Sequence, residues 1–167
     1  SDKSRLRFRY GIKREFKSAL KREIKPYRNI YSGNMLISRE TFKLINISLE
    51  NSYGLDLAFS GQIEYHKIPF KHIDNYTFHM GIDNNNNFLL KTKKASITIR
   101  KLYDQNLINS KQSKLVWTYK LLKKLHLVKI FKLKGKLLNP LIYWMLINFR
   151  VPLIVLDFYK FYHFCKK

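Results

Sequence analysis

The sequence has little cysteine: among its 167 residues, Cys165 is the one thiol. A single cysteine excludes an intrachain disulfide and any zinc site built on several cysteines. It is typical of proteins that stay in a reducing, cytoplasmic setting. The first ten residues also lack the apolar run of a signal peptide and an initiator methionine, which indicates an excised or truncated chain.

Acidic residues are scarce as well, 11 against 33 basic ones, which leaves a formal net charge of +22. Residues 1–50 carry 13 basic and 5 acidic side chains, residues 91–167 carry 18 and 2, and residues 51–90 carry 2 and 4. We therefore expect a nearly neutral centre that bears the functional site, between surfaces that meet polyanions. Phospholipid, a nucleotide diphosphate and RNA all fit that charge.

Long uninterrupted apolar runs are missing too. The mostly apolar stretch Leu137–Leu156 contains Asn139, Pro140 and Arg150, so it predicts a broken helix at a membrane interface rather than a spanning helix. Lys111–Lys136 pairs lysines with aliphatic and aromatic side chains, the pattern of helices that lie on anionic membranes. Residues 110–167 are accordingly predicted to form a basic, apolar helical tail.

The chain does have enough apolar residues for one folded domain, since 46% are hydrophobic and 15% are aromatic. Residues 1–109 show the patterns of alternating strands and helices. Strands are predicted at 5–10 (or an extended arm there), 30–37 and 68–73, and helices at 13–25, after Ser38, at 55–65 and at 88–107. This mixture predicts an α/β fold followed by a basic amphipathic α-helical tail.

Several short blocks follow one another in the first hundred residues. They are Leu6–Gly11, Gly33–Ile37 with Arg39 and Phe42, Tyr53–Phe59, His72–Asn75 with His79–Gly81, and Phe88–Thr92. In this order and spacing the sequence resembles the C-terminal half of bacterial family 2 glycosyltransferases. The resemblance implies part of a GT-A-like mixed sheet with flanking helices, and makes residues 1–109 the acceptor-side part of a glycosyltransferase domain.

The resemblance also implies an activity, the inverting transfer of a sugar from a nucleotide-sugar donor to a cell-surface glycan or lipid-linked acceptor. A divalent cation, Mn²⁺ or Mg²⁺, is expected with it. The sequence has no Asp-x-Asp triplet, which in this family holds the cation and the diphosphate, so the donor half and its main metal ligands are expected upstream of Ser1. The chain alone is then expected to be inactive.

Two positions depart from the family pattern. Leu55 stands where the family has the glutamate of a Glu-Asp pair, which puts acceptor positioning in doubt. Asn75 and Tyr76 stand where the family has Asn-Pro.

The resemblance assigns the catalytic role to Asp56, as the base that removes the proton of the acceptor hydroxyl. An aspartate at the start of a helix is also favoured by the helix dipole, which is the structural alternative. His79 is expected to contact the metal or the diphosphate, or else to be a packed, hydrogen-bonded side chain.

Four residues are predicted to bind substrate. Asp74 and Asn75 are predicted at the end of a strand, where side chains face the ligand crevice of an α/β sheet, although both also form turns readily. Gly33 and Asn34 would let the backbone approach the acceptor sugar, or would shape a bulge.

The expected partners are the nucleotide-sugar, the glycan acceptor and an anionic membrane, and no nucleic acid. The expected location is the inner face of the plasma membrane, peripheral to it. A small RNA-binding or ribosome-associated protein is the competing reading, because interleaved lysines and aromatics and a pI near 10.1 fit that class too. In a third interpretation, the chain is a non-catalytic, membrane-associated partner of another protein.

Overall fold

The computed structural model describes residues 5–45, 53–78 and 80–166, and the regular structure in these ranges is helical throughout. The α-helices are α1 (Leu6–Tyr10), α2 (Ala19–Glu23), α3 (Arg39–Ile45), α4 (Asp56–Tyr65), α5 (Asn85–Asp104), α6 (Lys114–Lys124), α7 (Val128–Asn148) and α8 (Leu153–Cys165). A π-helical turn follows α1 at Gly11–Glu15, and short 3₁₀ turns lie at Pro26–Arg28 and Ser32–Asn34.

Helices α5, α7 and α8 form the centre of the molecule, and α8 packs against both of the others. One apolar cluster joins them to α1 and includes Phe88, Leu89, Leu146 and Leu156. A second cluster joins α5 and α8 to α4 and α6. The C-terminal helix therefore lies in the core, where Phe164 is completely buried.

Helix α5 begins at the run of four asparagines. The Asn84 side chain caps it by accepting a hydrogen bond from the Asn87 amide (2.9 Å). The next residue, Asn85, accepts from the Leu6 amide (3.0 Å) and donates to the Ile147 carbonyl (3.1 Å). The predicted helix at 88–107 is thus confirmed, with a start three residues earlier, and its first turn ties α1 to the end of α7.

The N-terminal segment closes onto the C-terminal helix. Arg9 Nη2 donates to the Val151 carbonyl (2.8 Å), and the Lys160 ammonium donates to the Tyr10 hydroxyl (2.9 Å). Arg14 pairs with Asp157, which is one of the two acidic residues of the strongly basic region 91–167.

The predicted α/β class is wrong, because none of the three strands forms among the described residues. Residues 6–10 are helical. Residues 30–37 and 68–73 are extended or 3₁₀. In the second segment, side chains of α2 bond two backbone groups that a neighbouring strand would otherwise use: Glu23 accepts from the His72 amide (2.9 Å), and Arg22 donates to the Ile73 carbonyl (2.5 Å). Backbone groups that are already bonded to side chains of a helix are not available to pair with a neighbouring strand.

Several helical predictions are confirmed. Ser38 caps α3, because its hydroxyl accepts from the Thr41 amide (3.1 Å), and α4 covers the helix predicted at 55–65. The apolar stretch at 137–156 is a broken helix, as predicted: α7 ends at Asn148 and α8 begins after Pro152. No helix among the described residues is both long and apolar enough to cross a membrane.

Candidate functional site

A cleft of about 600 Å³ opens between the two extended segments, residues 29–38 and 68–75. Its wall mixes apolar and polar side chains in about equal parts. The apolar ones include Ile30, Met35, Ile68, Pro69, Phe70 and Ile73. The polar ones are Arg22, Asn29, Tyr31, Asn34, Ser38, Thr41, Lys71, His72 and Asn75. Mixed walls of this kind are typical of small-ligand sites.

Two asparagines hold the segments together across the cleft. The Asn34 side chain donates to the Asn75 carbonyl (2.7 Å), and the Asn75 side chain donates to the Asn34 Oδ1 (3.3 Å). Beside them Gly33 faces open space, since a Cβ placed there would have no atom within 4 Å. The structure thus brings Gly33, Asn34 and Asn75, three of the predicted substrate-binding residues, to one cleft.

Asp74, the fourth of them, is exposed and turned towards α2. Its carboxylate accepts from the Ala19 amide (2.7 Å) and lies 3.7 Å from Arg22 Nη2. In this position Asp74 holds the start of α2 and does not line the cleft. This long-range contact is neither the predicted place in the cleft nor the local turn that was the alternative.

Arg22 is one of two cationic residues in the cleft wall, the other being Lys71. One guanidinium nitrogen is used by the Ile73 carbonyl, whereas the buried Nε has no hydrogen-bond partner within the described part of the chain. A guanidinium holds its donors in a rigid planar fork and stays charged at every working pH. Arg22 therefore offers the cleft a fixed cation.

His72 lines the cleft as a wall residue. Its Nε2–H donates to the Pro26 carbonyl (3.2 Å), which places the proton on Nε2, and its ring meets Phe70 edge-on at 5.4 Å. The two contacts fix the ring plane.

Asp56 is the first residue of α4 and does not line the cleft. It lies close enough to act on Tyr31, which does. Burial first, and then the negative charge of Glu15, raise the pKa of the Tyr31 phenol to about 12; Asp56 acts in the same direction and Arg22 against it. Asp56 therefore contributes to the electric field at one cleft residue and is not itself part of the wall.

The remaining predicted contact, His79, lies outside the described residues. Within residues 5–45, 53–78 and 80–166, no group of three or more histidine, cysteine, aspartate or glutamate side chains is placed to hold a metal ion. The divalent cation stays a prediction.

Arg22 and His72 had no site role in the sequence-based prediction. Arg22 lies 51 residues from its partner Ile73, and the spacing along the chain gives no sign of that contact. The lone thiol adds nothing to the site, because burial raises the pKa of Cys165 to about 11 and keeps it protonated at neutral pH.

The resemblance to family 2 glycosyltransferases is not upheld. A GT-A fold is built around a sheet, and the described residues form helices without a strand. Of the blocks that carried the resemblance, Leu6–Gly11 covers α1, Tyr53–Phe59 leads into α4, Phe88–Thr92 lies within α5, and Gly33–Ile37 and His72–Asn75 border the cleft. No protein-family model, curated protein or solved structure matches this chain.

Proposed function

We propose that the cleft binds a hydroxyl-rich ligand, a glycan or the glycan part of a lipid-linked precursor, as the acceptor of a sugar supplied by a nucleotide-sugar. The observation that carries the proposal is the convergence of the Asn34 and Asn75 amides and the Arg22 guanidinium on one cleft of mixed polar and apolar lining. The proposed setting is the cytoplasmic face of the plasma membrane, where lipid-linked acceptors are assembled.

The chemistry of the wall matches a sugar ring. Ring hydroxyls both donate and accept hydrogen bonds, and so does a carboxamide side chain, whereas a guanidinium only donates. The C–H faces of a sugar are apolar and suit a wall that contains Phe70 and Ile73. The open position at Gly33 leaves room for a ring to approach the backbone.

Transfer to this acceptor needs a carboxylate. As the acceptor oxygen attacks the anomeric carbon, its proton passes to the carboxylate, and the bond to the diphosphate breaks with its electron pair on the leaving group. Asp56 is proposed as that base; it begins α4 outside the cleft wall, and its charge acts on the wall residue Tyr31.

Ligand binding tests the proposal directly. The chain is applied to a glycan array, and the affinity for the strongest glycan is then measured by calorimetry for Asn75→Ala. This variant loses the Asn75 amide but keeps the backbone carbonyl that Asn34 uses, so the cleft keeps its shape. We expect an affinity loss of about tenfold.

Asn87→Ala is the matched control, because Asn87 is an exposed asparagine on α5, away from the cleft. An array without signal, or an equal loss in both variants, would refute glycan binding in the cleft. A second pair tests the charge in the same way: Arg22→Gln should weaken glycan binding, and Lys21→Gln, at its exposed neighbour, is the control.

The base is tested separately. Asp56→Asn is expected to keep glycan binding and to lower sugar transfer by about a hundredfold or more, measured with nucleotide-sugars and membranes in a form of the protein that turns over. Glu40→Gln, at an exposed acid on α3, should leave transfer unchanged. Equal transfer by Asp56→Asn and the unsubstituted protein would remove Asp56 from the chemistry.

A further inference from the structure

Helix α7 carries a stripe of large apolar side chains that no other part of the described chain covers. The stripe consists of Ile130, Leu133, Leu137, Leu141 and Trp144, each more than half exposed and Leu137 exposed by 81%. Their spacing of three or four residues puts them on one side of the helix. At 1.5 Å per residue the stripe runs for about 21 Å.

The opposite side of α7 fixes its orientation. Gly135 and Leu146 are buried there, and the Tyr162 ring of α8 packs against Gly135 so closely that an added Cβ would lie 2.5 Å from Cδ2. The helix therefore cannot rotate to hide the stripe. The apolar side chains stay in solvent unless something else covers them.

Positive charge flanks the stripe. On a helical wheel Lys129 and Lys136 lie along one flank and Lys134 along the other, and all three are exposed. The neighbouring helix α6 repeats the arrangement, with Trp117 and Leu121 exposed among lysines. Residues 105–156 contain ten basic residues and no acidic one.

We infer that the α7 stripe docks onto an anionic lipid surface. Apolar side chains, with tryptophan among them, enter the boundary between headgroups and acyl chains while lysines beside them meet lipid phosphates. The charge pattern selects this occupant, because a single-sign rim fits a continuous anionic surface. A stripe of four aliphatic side chains has no counterpart in single-stranded nucleic-acid sites, which stack bases on aromatic rings.

The chain offers a direct reporter of this contact. It has two tryptophans, and Trp117→Phe leaves Trp144, in the stripe, as the sole one. The emission of Trp144 is followed as vesicles of phosphatidylcholine and phosphatidylglycerol, in roughly equal amounts, are added. We expect a blue shift, quenching by brominated acyl chains, and little response to vesicles of phosphatidylcholine alone.

Two sets of substitutions separate the apolar from the charged contribution. Leu137→Glu with Leu141→Glu should lower the vesicle partition constant by about tenfold or more. Leu20→Glu with Ile24→Glu, at two exposed apolar positions in and just after α2, should leave it unchanged. Lys129→Gln, Lys134→Gln and Lys136→Gln together should lower it by about a hundredfold. The control is the triple substitution Lys21→Gln, Lys25→Gln and Lys43→Gln, which removes the same amount of charge at positions outside α7.

Each result decides the inference. A circular dichroism spectrum that keeps its helical signal shows that the substituted proteins are folded, as expected for exposed positions. Salt-sensitive binding of transfer RNA without any blue shift on vesicles would overturn the inference in favour of nucleic acid. Equal losses in the α7 and control sets would overturn it as well. The vesicles contain no glycan, so the outcome is independent of the cleft.

Discussion

At the scale of single residues, Gly61 shows how tightly α4 meets the loop after α5. A Cβ at this position would collide with the Leu107 carbonyl oxygen, a backbone atom that cannot turn away. Gly33 is the opposite case, a glycine whose Cβ position is open. The two glycines therefore differ in what they contribute to stability.

Gly61→Ala is expected to lower the free energy of unfolding by about 3 kcal/mol, because the backbone must shift to relieve the collision. The loss would occur even though alanine is intrinsically better than glycine in a helix by about 1 kcal/mol. Urea unfolding measures the change. Gly33→Ala should stay within about 0.5 kcal/mol of the unsubstituted chain, and an equally small effect of Gly61→Ala would contradict the packing described above.

His163 is a buried histidine, 4% exposed, whose two ring nitrogens have no hydrogen-bond partner within the described residues. Its ring lies against Tyr159 and Tyr162. Burial above all, and then the positive charges of Lys93 and Lys166, lower the pKa of His163 to about 4 from an ordinary value of 6.5. The folded protein keeps this ring neutral.

Stability is therefore expected to fall as the pH drops from about 6.5 to about 4. In that window the unfolded chain binds a proton at His163 and the folded chain does not, and a difference of this size corresponds to up to about 3 kcal/mol. His163→Phe should flatten this part of the pH profile in urea unfolding. His66→Phe, at an exposed histidine, should keep the slope, and a slope that survives His163→Phe would assign it to other groups.

At the scale of elements, Glu64 on α4 anchors the loop between α5 and α6. Its carboxylate accepts hydrogen bonds from Asn109 (3.1 Å), Gln112 (2.5 Å) and Lys111. Burial alone would raise the pKa of Glu64, but these three hydrogen bonds outweigh it and hold the pKa below its usual value. Gln112 is itself 2% exposed and depends on this bond.

Glu64→Ala is expected to cost about 2 kcal/mol, because it leaves the nitrogen of the buried Gln112 side chain without a hydrogen-bond partner. Thermal unfolding measures the loss, with Glu40→Ala on exposed α3 as the control. Because the pKa is lowered in the folded state, the contribution of Glu64 is complete above its ordinary pKa of 4.5 and disappears as the pH falls through the lowered value. A loss that is the same at every pH would contradict the role of the charge.

The elements also show what the sequence could predict. Helices α3 and α5 follow from a serine or asparagine cap together with apolar spacing, and α4 follows from its apolar positions alone; all of these are local signals. The local sequence could not show that 30–37 and 68–73 are not strands. An apolar run becomes a strand only where a partner strand pairs with its backbone N–H and C=O groups. Here Arg22 and Glu23 take up backbone groups of Ile73 and His72 from 51 and 49 residues away, and Asn34 bonds the Asn75 carbonyl from 41 residues away. Three predicted site residues lie together for the same reason: the side chains that prevent a sheet also hold the cleft.

At the scale of the whole molecule, charge is the dominant feature. With 33 basic and 11 acidic residues, most cations have no acidic partner available, and the compact state brings them closer together. Screening should therefore stabilise the fold. Between ionic strengths of about 0.01 and 0.15 M the Debye length falls from about 30 to about 8 Å.

We expect the melting temperature to rise by a few degrees over that range, or about 3 °C per kcal/mol of relieved repulsion for a chain of this size. Differential scanning fluorimetry in sodium chloride measures it. Lys94→Gln, Lys101→Gln and Lys114→Gln, all at exposed positions, should make the rise smaller. A melting temperature that does not respond to salt would mean that repulsion is not a significant part of the stability.

The closure of the N-terminal segment onto α8 sets an order of events during synthesis. Arg9 and Tyr10 cannot form their hydrogen bonds until Val151 and Lys160, 142 and 150 residues later in the chain, have been synthesised. At about 5–20 residues per second, the ribosome needs on the order of ten seconds to supply these partners. Throughout that interval the first helix can bond Asn85 of α5 but lacks its C-terminal contacts beside a polyanionic ribosome, and completing them is among the last steps by which the nascent chain becomes the folded protein.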